Sequence, residues 1–320
     1  MSYYSLEKRK VFLQEQSDRQ PLPPFQANAR INAPELYQPS PELADAVNVA
    51  LRLGLPLLLT GEPGSGKTQL ADHLAWFFDL GETLVFNAQT TSTASDLFYQ
   101  YDALGHFQYS QNSREPLSPD ELERRFIRYR GLGKAIKAAA EQSRRSVVLI
   151  DEIDKAPRDL PNDVLDAMDK LRFYVAEADK WYYTEPRFRP VILLTSNSEK
   201  NLPDAFLRRV VYFHIEFPDK ERMLEIIGAK ITGLAENDLR ALTDHFYAIR
   251  DTRATKLNKY PATAELIQWA SYLQETGFPV AKLKNTERLG DSERAALKSS
   301  YSILAKTRED LAVLVKRLEN

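Results

Sequence analysis

Gly61, Gly66, Lys67 and Thr68 stand at the spacing G-x-x-x-x-G-K-[ST] within "LLLTGEPGSGKTQLADHL", residues 57–74. These residue types at this spacing can hold a chain of phosphates. Glycines let backbone amides wrap an anion without Cβ clashes. A helix opening at Lys67 adds partial positive charge at the same point. The Lys67 ammonium is then expected at the β- and γ-phosphates, and the Thr68 hydroxyl on Mg²⁺. The expected phosphate-binding stretch is Gly61, Glu62, Pro63, Gly64, Ser65, Gly66, Lys67, Thr68 and Gln69.

Holding a nucleotide is not hydrolysing it. Hydrolysis needs a carboxylate near the metal and a group that polarises water. "VVLIDEID" offers both at the end of an apolar run. Asp151 is expected to hold Mg²⁺ through water, and Glu152 to activate the attacking water.

Such groups converge only where parallel strands end. The chain has that pattern. Helix-period segments alternate with short apolar runs at 55–60, 83–87, 146–151, 190–197 and 210–217, which predict five strands of a parallel sheet covered on both faces. Helices are expected over 68–80, 132–143 and 161–173 between them. After Pro218 only helical patterns follow. The expected fold class is therefore α/β, a P-loop NTPase sheet of five parallel strands flanked by helices, followed by a smaller all-helical lid. The expected domains are an N-terminal arm (1–40), an α/β nucleotide-binding domain (41–218) and a helical domain (219–320). Within the arm, residues 3–17 predict a short helix. Prolines at 21, 23, 24, 34, 39 and 41 predict an extended run.

Two aromatic stretches predict β-hairpins. In the first, Phe98, Tyr99, Tyr101, Phe107 and Tyr109 flank a turn-like "DALG". In the second, Phe173 and Tyr174 face Trp181, Tyr182 and Tyr183 across "AEADK". Residues 123–145 carry eight arginines and lysines against two glutamates. That run reads first as a solvated helix face, and otherwise as a contact for nucleic acid or an acidic neighbour.

Composition narrows the chemistry. The 320 residues are 43% hydrophobic and 28% charged, with formal net charge -2, so no global charge favours nucleic acid or an anionic membrane. The absence of cysteine excludes disulfides, zinc–thiolate sites and cysteine nucleophiles. The four histidines, His73, His106, His214 and His245, lack metal-ligand spacing. The charged N-terminus has no apolar h-region, and no run is long enough to span a bilayer. A cytoplasmic protein with no membrane role is the expectation.

"LLLTGEPGSGKTQLA" and "VVLIDEIDKAP" resemble the AAA+ ATPases, and within them the MoxR-like group, and the resemblance runs from about Pro34 to the C-terminus. It implies that Asn197 of "LLTSN" is sensor 1, the polar residue beside the γ-phosphate and attacking water. It implies that Arg208 or Arg209 of "LPDAFLRRVVYFHIEFP" is an arginine finger reaching the adjacent subunit's nucleotide, with Arg209 favoured by its place beside the following strand. The sensor 2 slot resembles "KYPATAELIQWA" but holds Ala264; Arg253, Lys256 or Lys259 could take that role, and the sequence does not choose among them. In the MoxR-like group a hairpin like the first faces the ring pore or partner, and the second resembles the hairpin inserted before sensor 1.

The function implied is Mg²⁺-dependent ATP hydrolysis by a homo-oligomeric ring, hexameric in the family, that remodels or activates a partner protein. That partner is often one bearing a von Willebrand A-type domain. The alternative is a nucleic-acid motor or a restriction- or defence-type NTPase, which would use the 123–145 surface. A nucleotide-gated binding switch is a third reading, weakened by the presence of Glu152 and Asn197.

Overall fold

The computed structural model describes residues 29–112, 116–163, 165–197, 202–253 and 255–319. The expected helix at 3–17 and most of the proline-rich run lie outside these. Two compact units are present: Pro34–Asp219 with Ala262–Ala264, and Lys220–Pro261 with Glu265–Asn320 and residues 29–33.

Among its described residues the first unit contains nine strands: β1 (Leu57–Gly61), β2 (Leu84–Asn87), β3 (Tyr99–Tyr101), β4 (Ile127–Tyr129), β5 (Val147–Asp151), β6 (Arg172–Val175), β7 (Lys180–Tyr183), β8 (Val191–Thr195) and β9 (Val211–Ile215). Five form one sheet in the order β2-β5-β8-β1-β9, with every pairing parallel. Side chains alternate between two cores. Leu58, Val148, Ile150, Ile192 and Leu194 face a core built with Leu132 and Ile136. Leu57, Leu59, Val147, Leu149 and Leu193 face another, built with Val47, Leu70 and Leu74. Both faces are covered, so these strands read as continuous apolar runs. The expected α/β class holds: a five-stranded parallel sheet flanked by helices, followed by a helical region.

Local signals set the covering helices. Ser40 accepts a hydrogen bond from Leu43 N at 3.2 Å and Pro41 opens the helix Pro41–Leu53. Gly54, in the left-handed region, closes it. The P-loop helix runs Lys67–Phe77. The helix expected over 161–173 is shorter: Leu160–Asp163 and Leu165–Lys170 are helical, and Arg172 already belongs to β6.

The first predicted hairpin is corrected. Tyr99–Tyr101 does pair antiparallel, but with Ile127–Tyr129. "DALG" does not turn the chain back into a strand. Asp102 Oδ1 accepts from Gly105 N at 2.9 Å, and a helix Ala103–Asn112 follows. An aspartate followed by a glycine three residues on serves a helix start as well as a turn, because its carboxylate satisfies a free amide in both. The second hairpin forms as expected, with Phe173 opposite Tyr182 and Tyr174 opposite Trp181. Phe173 and Tyr182 are buried; Tyr174, Trp181 and Tyr183 are exposed.

The 123–145 run is not one helix face. It spans the end of helix Pro119–Phe126, β4 and the helix Gly131–Gln142. Within it Glu123 is buried at 7% exposure and accepts from Tyr182 Oη at 2.6 Å and Tyr129 Oη at 2.7 Å. Lys137 Nζ donates at 2.6 Å and Lys180 Nζ at 2.9 Å to the same carboxylate. Burial pushes its pKa up, but the hydrogen bonds from Lys137, Tyr182, Lys180 and Tyr129 outweigh it and bring the group to about 2. This cluster pins the β6–β7 hairpin to two helices. Glu123→Ala leaves two ammonium groups without their shared partner. Its expected cost is about 3 kcal/mol of unfolding free energy, read by urea denaturation at pH 7. Because the folded pKa lies below the unfolded value, Glu123 contributes stability above the ordinary carboxylate range. That contribution disappears as pH falls toward 2.

The second unit is helical, with Lys220–Lys230, Glu236–Arg250, Asp291–Leu304, Arg308–Glu319 and most of Thr263–Glu275. Its core includes Trp269, Phe246, Leu242 and Leu297, all at 0% exposure. His245 lies against the Trp269 and Tyr301 rings and shares a 2.8 Å hydrogen bond with Tyr301 Oη. Burial pushes its pKa down to about 4, helped by the nearby Arg317 cation. The unfolded chain therefore takes up a proton near pH 6.5 that the folded one refuses. Stability of this unit is expected to fall by up to about 3 kcal/mol between pH 6.5 and 4, in denaturation curves at stepped pH. His245→Gln is expected to flatten that slope. Among the described residues no helix is long and apolar enough to cross a membrane.

Candidate active site

β1 ends in Gly61, and the loop to Lys67 wraps the carboxyl end of the sheet. Gly61, Gly64 and Gly66 all take positive φ, at 143°, 76° and 89°. At Gly61 a Cβ would lie 2.6 Å from Ile215 O, and at Gly66 it would lie 3.0 Å from the Tyr37 ring. Side chains at either position would push the loop out of shape. Ser65 Oγ is buried without a hydrogen-bond partner. Lys67 is 8% exposed, and its Nζ donates to Gly61 O at 2.8 Å and Glu62 O at 3.0 Å. Burial lowers its pKa, while Asp151, Asp154, Glu152 and Glu62 pull it back up. A cation turned toward loop carbonyls, beside an orphan hydroxyl and a tight glycine backbone, is a cradle suited to an anion.

Beside it, β5 brings Asp151 and Glu152 to the same end of the sheet. Thr68 Oγ1 donates to Asp151 Oδ1 at 3.4 Å. Thr195, at the end of β8, donates to the same oxygen through its Oγ1. Thr195 Oγ1 also accepts from Glu152 N at 2.9 Å. Glu152 takes left-handed backbone angles, φ 55° and ψ 47°, rare for a non-glycine residue and costly by about 1 kcal/mol or more. Its carboxylate lies 2.5 Å from Lys155 Nζ. Thr195 therefore fixes the turn at which Asp151 and Glu152 diverge. A hydroxyl and a carboxylate side by side are hard oxygen donors, so Thr68 and Asp151 would suit Mg²⁺.

Two residues on from Thr195, Asn197 is exposed, and its backbone N–H donates to Asp154 Oδ1 at 3.4 Å. Leu194 pairs with Ile150 and Thr195 with Leu59, so Asn197 follows directly on the strand end that adjoins both Asp151 and Gly61. Thus Gly61–Gln69, Asp151, Glu152 and Asn197 share one end of the sheet.

Arg208 and Arg209 do not. Val211 pairs with Leu57 at the start of β1, and Ile215 pairs with Gly61 at its end. Both arginines precede Val211. At roughly 3.3 Å per residue, six residues separate Arg209 from Ile215 by about 20 Å. Both arginines are exposed, and Arg209 Nε lies 3.9 Å from Asp169 Oδ2. The sensor 2 slot, Ala264, is the second residue of the helix Thr263–Glu275.

Two residues at the site are not readable from the motifs. Thr195 looks like any strand threonine; only its position before "SN" sets it apart. Tyr37 stands against Gly66, and the short turn that carries it is fixed to the P-loop helix by His73, whose Nδ1 lies 2.8 Å from Pro34 O. His73 also lies against the Tyr37 ring, so it has a packing task here.

Residues 56–210 match the AAA domain (dynein-related subfamily). The matched stretch begins just before β1 and ends just before β9, so it contains the phosphate loop, both acids, Asn197 and both arginines. With the sheet order, the match supports an AAA+ ATPase in general; proteins of this kind commonly assemble into rings. No curated protein matches the chain.

Proposed function

We propose that this protein is a ring-forming, Mg²⁺-dependent ATPase of the MoxR-like kind that uses ATP turnover to remodel or activate a partner protein. The observation that carries the reading is the convergence of Lys67, Thr68, Asp151, Glu152 and Thr195 at one end of a parallel sheet.

In this reading Gly61–Gly66 and Lys67 hold the phosphates, and Thr68 and Asp151 hold the metal. Bound Mg²⁺ would neutralise charge on the β- and γ-phosphate oxygens. Glu152 accepts the proton of the attacking water. Asn197 orients that water. Arg208 or Arg209 meets charge that develops on the γ-phosphoryl group bound by another copy, because its own site lies at the far end of the sheet. The proposal includes assembly into a homo-oligomeric ring, hexameric in the family, and the chemistry itself needs at least one neighbour. A partner bearing a von Willebrand A-type domain and a cytoplasmic location belong to the same proposal.

Specific activity tests it. ATPase rate per milligram should rise with protein concentration and then level off as rings form; a flat dependence would remove the role of the neighbour. The nucleic-acid alternative draws on the 123–145 run, but Lys137 of that run is already committed to Glu123. Stimulation of turnover by DNA would favour it.

Thr195 gives a finer test. Thr195→Val removes the hydroxyl that bridges Asp151 and Glu152 without changing the strand's shape. Turnover is expected to fall roughly 10- to 100-fold, with Thr195→Ser recovering most of it in a steady-state phosphate-release assay.

A further inference from the structure

At the opposite end of the sheet from Gly61 lies a cleft of about 390 Å³. It is formed between the end of helix Pro41–Leu53 and the starts of β1 and β8. Arg52, Arg145, Arg187 and Arg189 line it together with aliphatic residues such as Val47 and Leu51. No acidic residue lines it, and neither does any aromatic one.

The arginines are poorly neutralised. Arg187 pairs with Glu185 at 2.8 Å, both well exposed. Among the described residues no carboxylate lies within 4 Å of Arg52, Arg145 or Arg189. Arg189 is half-buried. Its Nη2 donates to Met168 O at 3.1 Å, and its stem packs where a Cβ on Gly54 would lie, 3.0 Å from its Cδ. Arg145 Nε in turn donates to Arg189 O at 3.0 Å, which ties the two arginine-bearing loops together. Burial lowers the Arg189 pKa, and only Asp169, outside the cleft, opposes that effect. Gathering cations in a partly apolar cleft without acids is unfavourable for the isolated chain. An anion entering the cleft relieves it.

We propose that this cleft binds an acidic peptide segment of a partner protein, one that sets carboxylates beside an aliphatic side chain. Guanidinium forks match carboxylates bidentately. Val47 and Leu51 offer the aliphatic residue a dry wall. A nucleic-acid strand fits less well. A single strand needs aromatic platforms for its bases, which the lining lacks, and a duplex needs a broad basic surface rather than a small cleft. The assignment does not rest on the ATPase reading, because no residue of the phosphate loop lines the cleft.

The test uses the full chain and a fluorescein-labelled decapeptide of alternating glutamate and leucine, with fluorescence anisotropy as the readout. The doubly exposed variant Arg52→Glu/Arg187→Glu is expected to weaken binding about tenfold or more. Arg124→Glu/Arg128→Glu, which makes the same change of net charge elsewhere, is expected to alter it less than about twofold. Saturating ATP with Mg²⁺ is expected to leave the peptide bound. The proposal is overturned by any of four results: no peptide binding, equal weakening by both variants, displacement of the peptide by ATP, or tighter binding of a labelled ten-nucleotide single strand through Arg52 and Arg187. A folded far-UV circular dichroism spectrum for each variant keeps loss of binding distinct from loss of structure.

Discussion

Glu152→Gln is expected to keep nucleotide affinity and to lose hydrolysis by roughly 10²- to 10⁴-fold. The amide has nearly the shape of the carboxylate and cannot take a proton. The fold should tolerate it, since the contact that fixes the local backbone is Glu152 N to Thr195 Oγ1 and not the side chain. Its carboxylate is also half-exposed and paired only with Lys155, an exposed ion pair worth at most about 1 kcal/mol. The left-handed backbone at Glu152 is the clearest sign that the position serves chemistry before stability. Binding of a fluorescent ATP analogue and single-turnover phosphate release separate the two effects. If the variant turns over at the wild-type rate, Glu152 is not the base, and Asp154 becomes the acid to examine. Lys67→Ala is the contrasting variant, expected to lose binding itself, because its ammonium is the buried cation of the cradle.

The site residues on local motifs could be placed from sequence because each motif sits on a strand end that the apolar runs also mark. Five runs and the helices between them fix the sheet, and the sheet brings together Lys67 and Asp151, 84 positions apart in the chain, without any further information. The failures have a common cause. "DALG" was ambiguous between a turn and a helix start, and the choice depends on Tyr99–Tyr101 finding Ile127–Tyr129, a pairing that local sequence does not encode. Glu123 looks like one acid in a basic helix. Its role depends on Lys180 and Tyr182, which arrive from a hairpin 57 and 59 residues away. Thr195 is hidden for the same reason, since its two partners lie on β5. What is local in the chain was legible; what requires two distant segments to meet was not.

Mixing two inactive variants is the sharpest test of a shared site. Arg209→Ala is expected to lower turnover by about 10³- to 10⁵-fold if its guanidinium acts on a neighbour's γ-phosphoryl group. Its own phosphate loop, Asp151 and Glu152 stay intact. Glu152→Gln is expected to be inactive for the opposite reason: in this reading it cannot activate water but still carries Arg209. In a mixed assembly, an Arg209→Ala subunit can borrow the arginine of an adjacent Glu152→Gln subunit, so activity should reappear on mixing, with neither variant active alone. The geometry makes the prediction strict. Arg208 and Arg209 stand at the start of β9, about 20 Å of strand from the end where Ile215 meets Gly61, so neither can serve its own site. The same experiment with Arg208→Ala decides between the two. The arginine that acts in trans gives a variant rescued by Glu152→Gln, whereas loss of the other leaves turnover near the wild-type level. Arg209 is also held loosely, 3.9 Å from Asp169 with both groups about half-exposed, so releasing it toward a neighbour costs little. If mixing restores nothing, and each arginine variant retains full activity alone, the site is complete within one chain and assembly is not part of its chemistry.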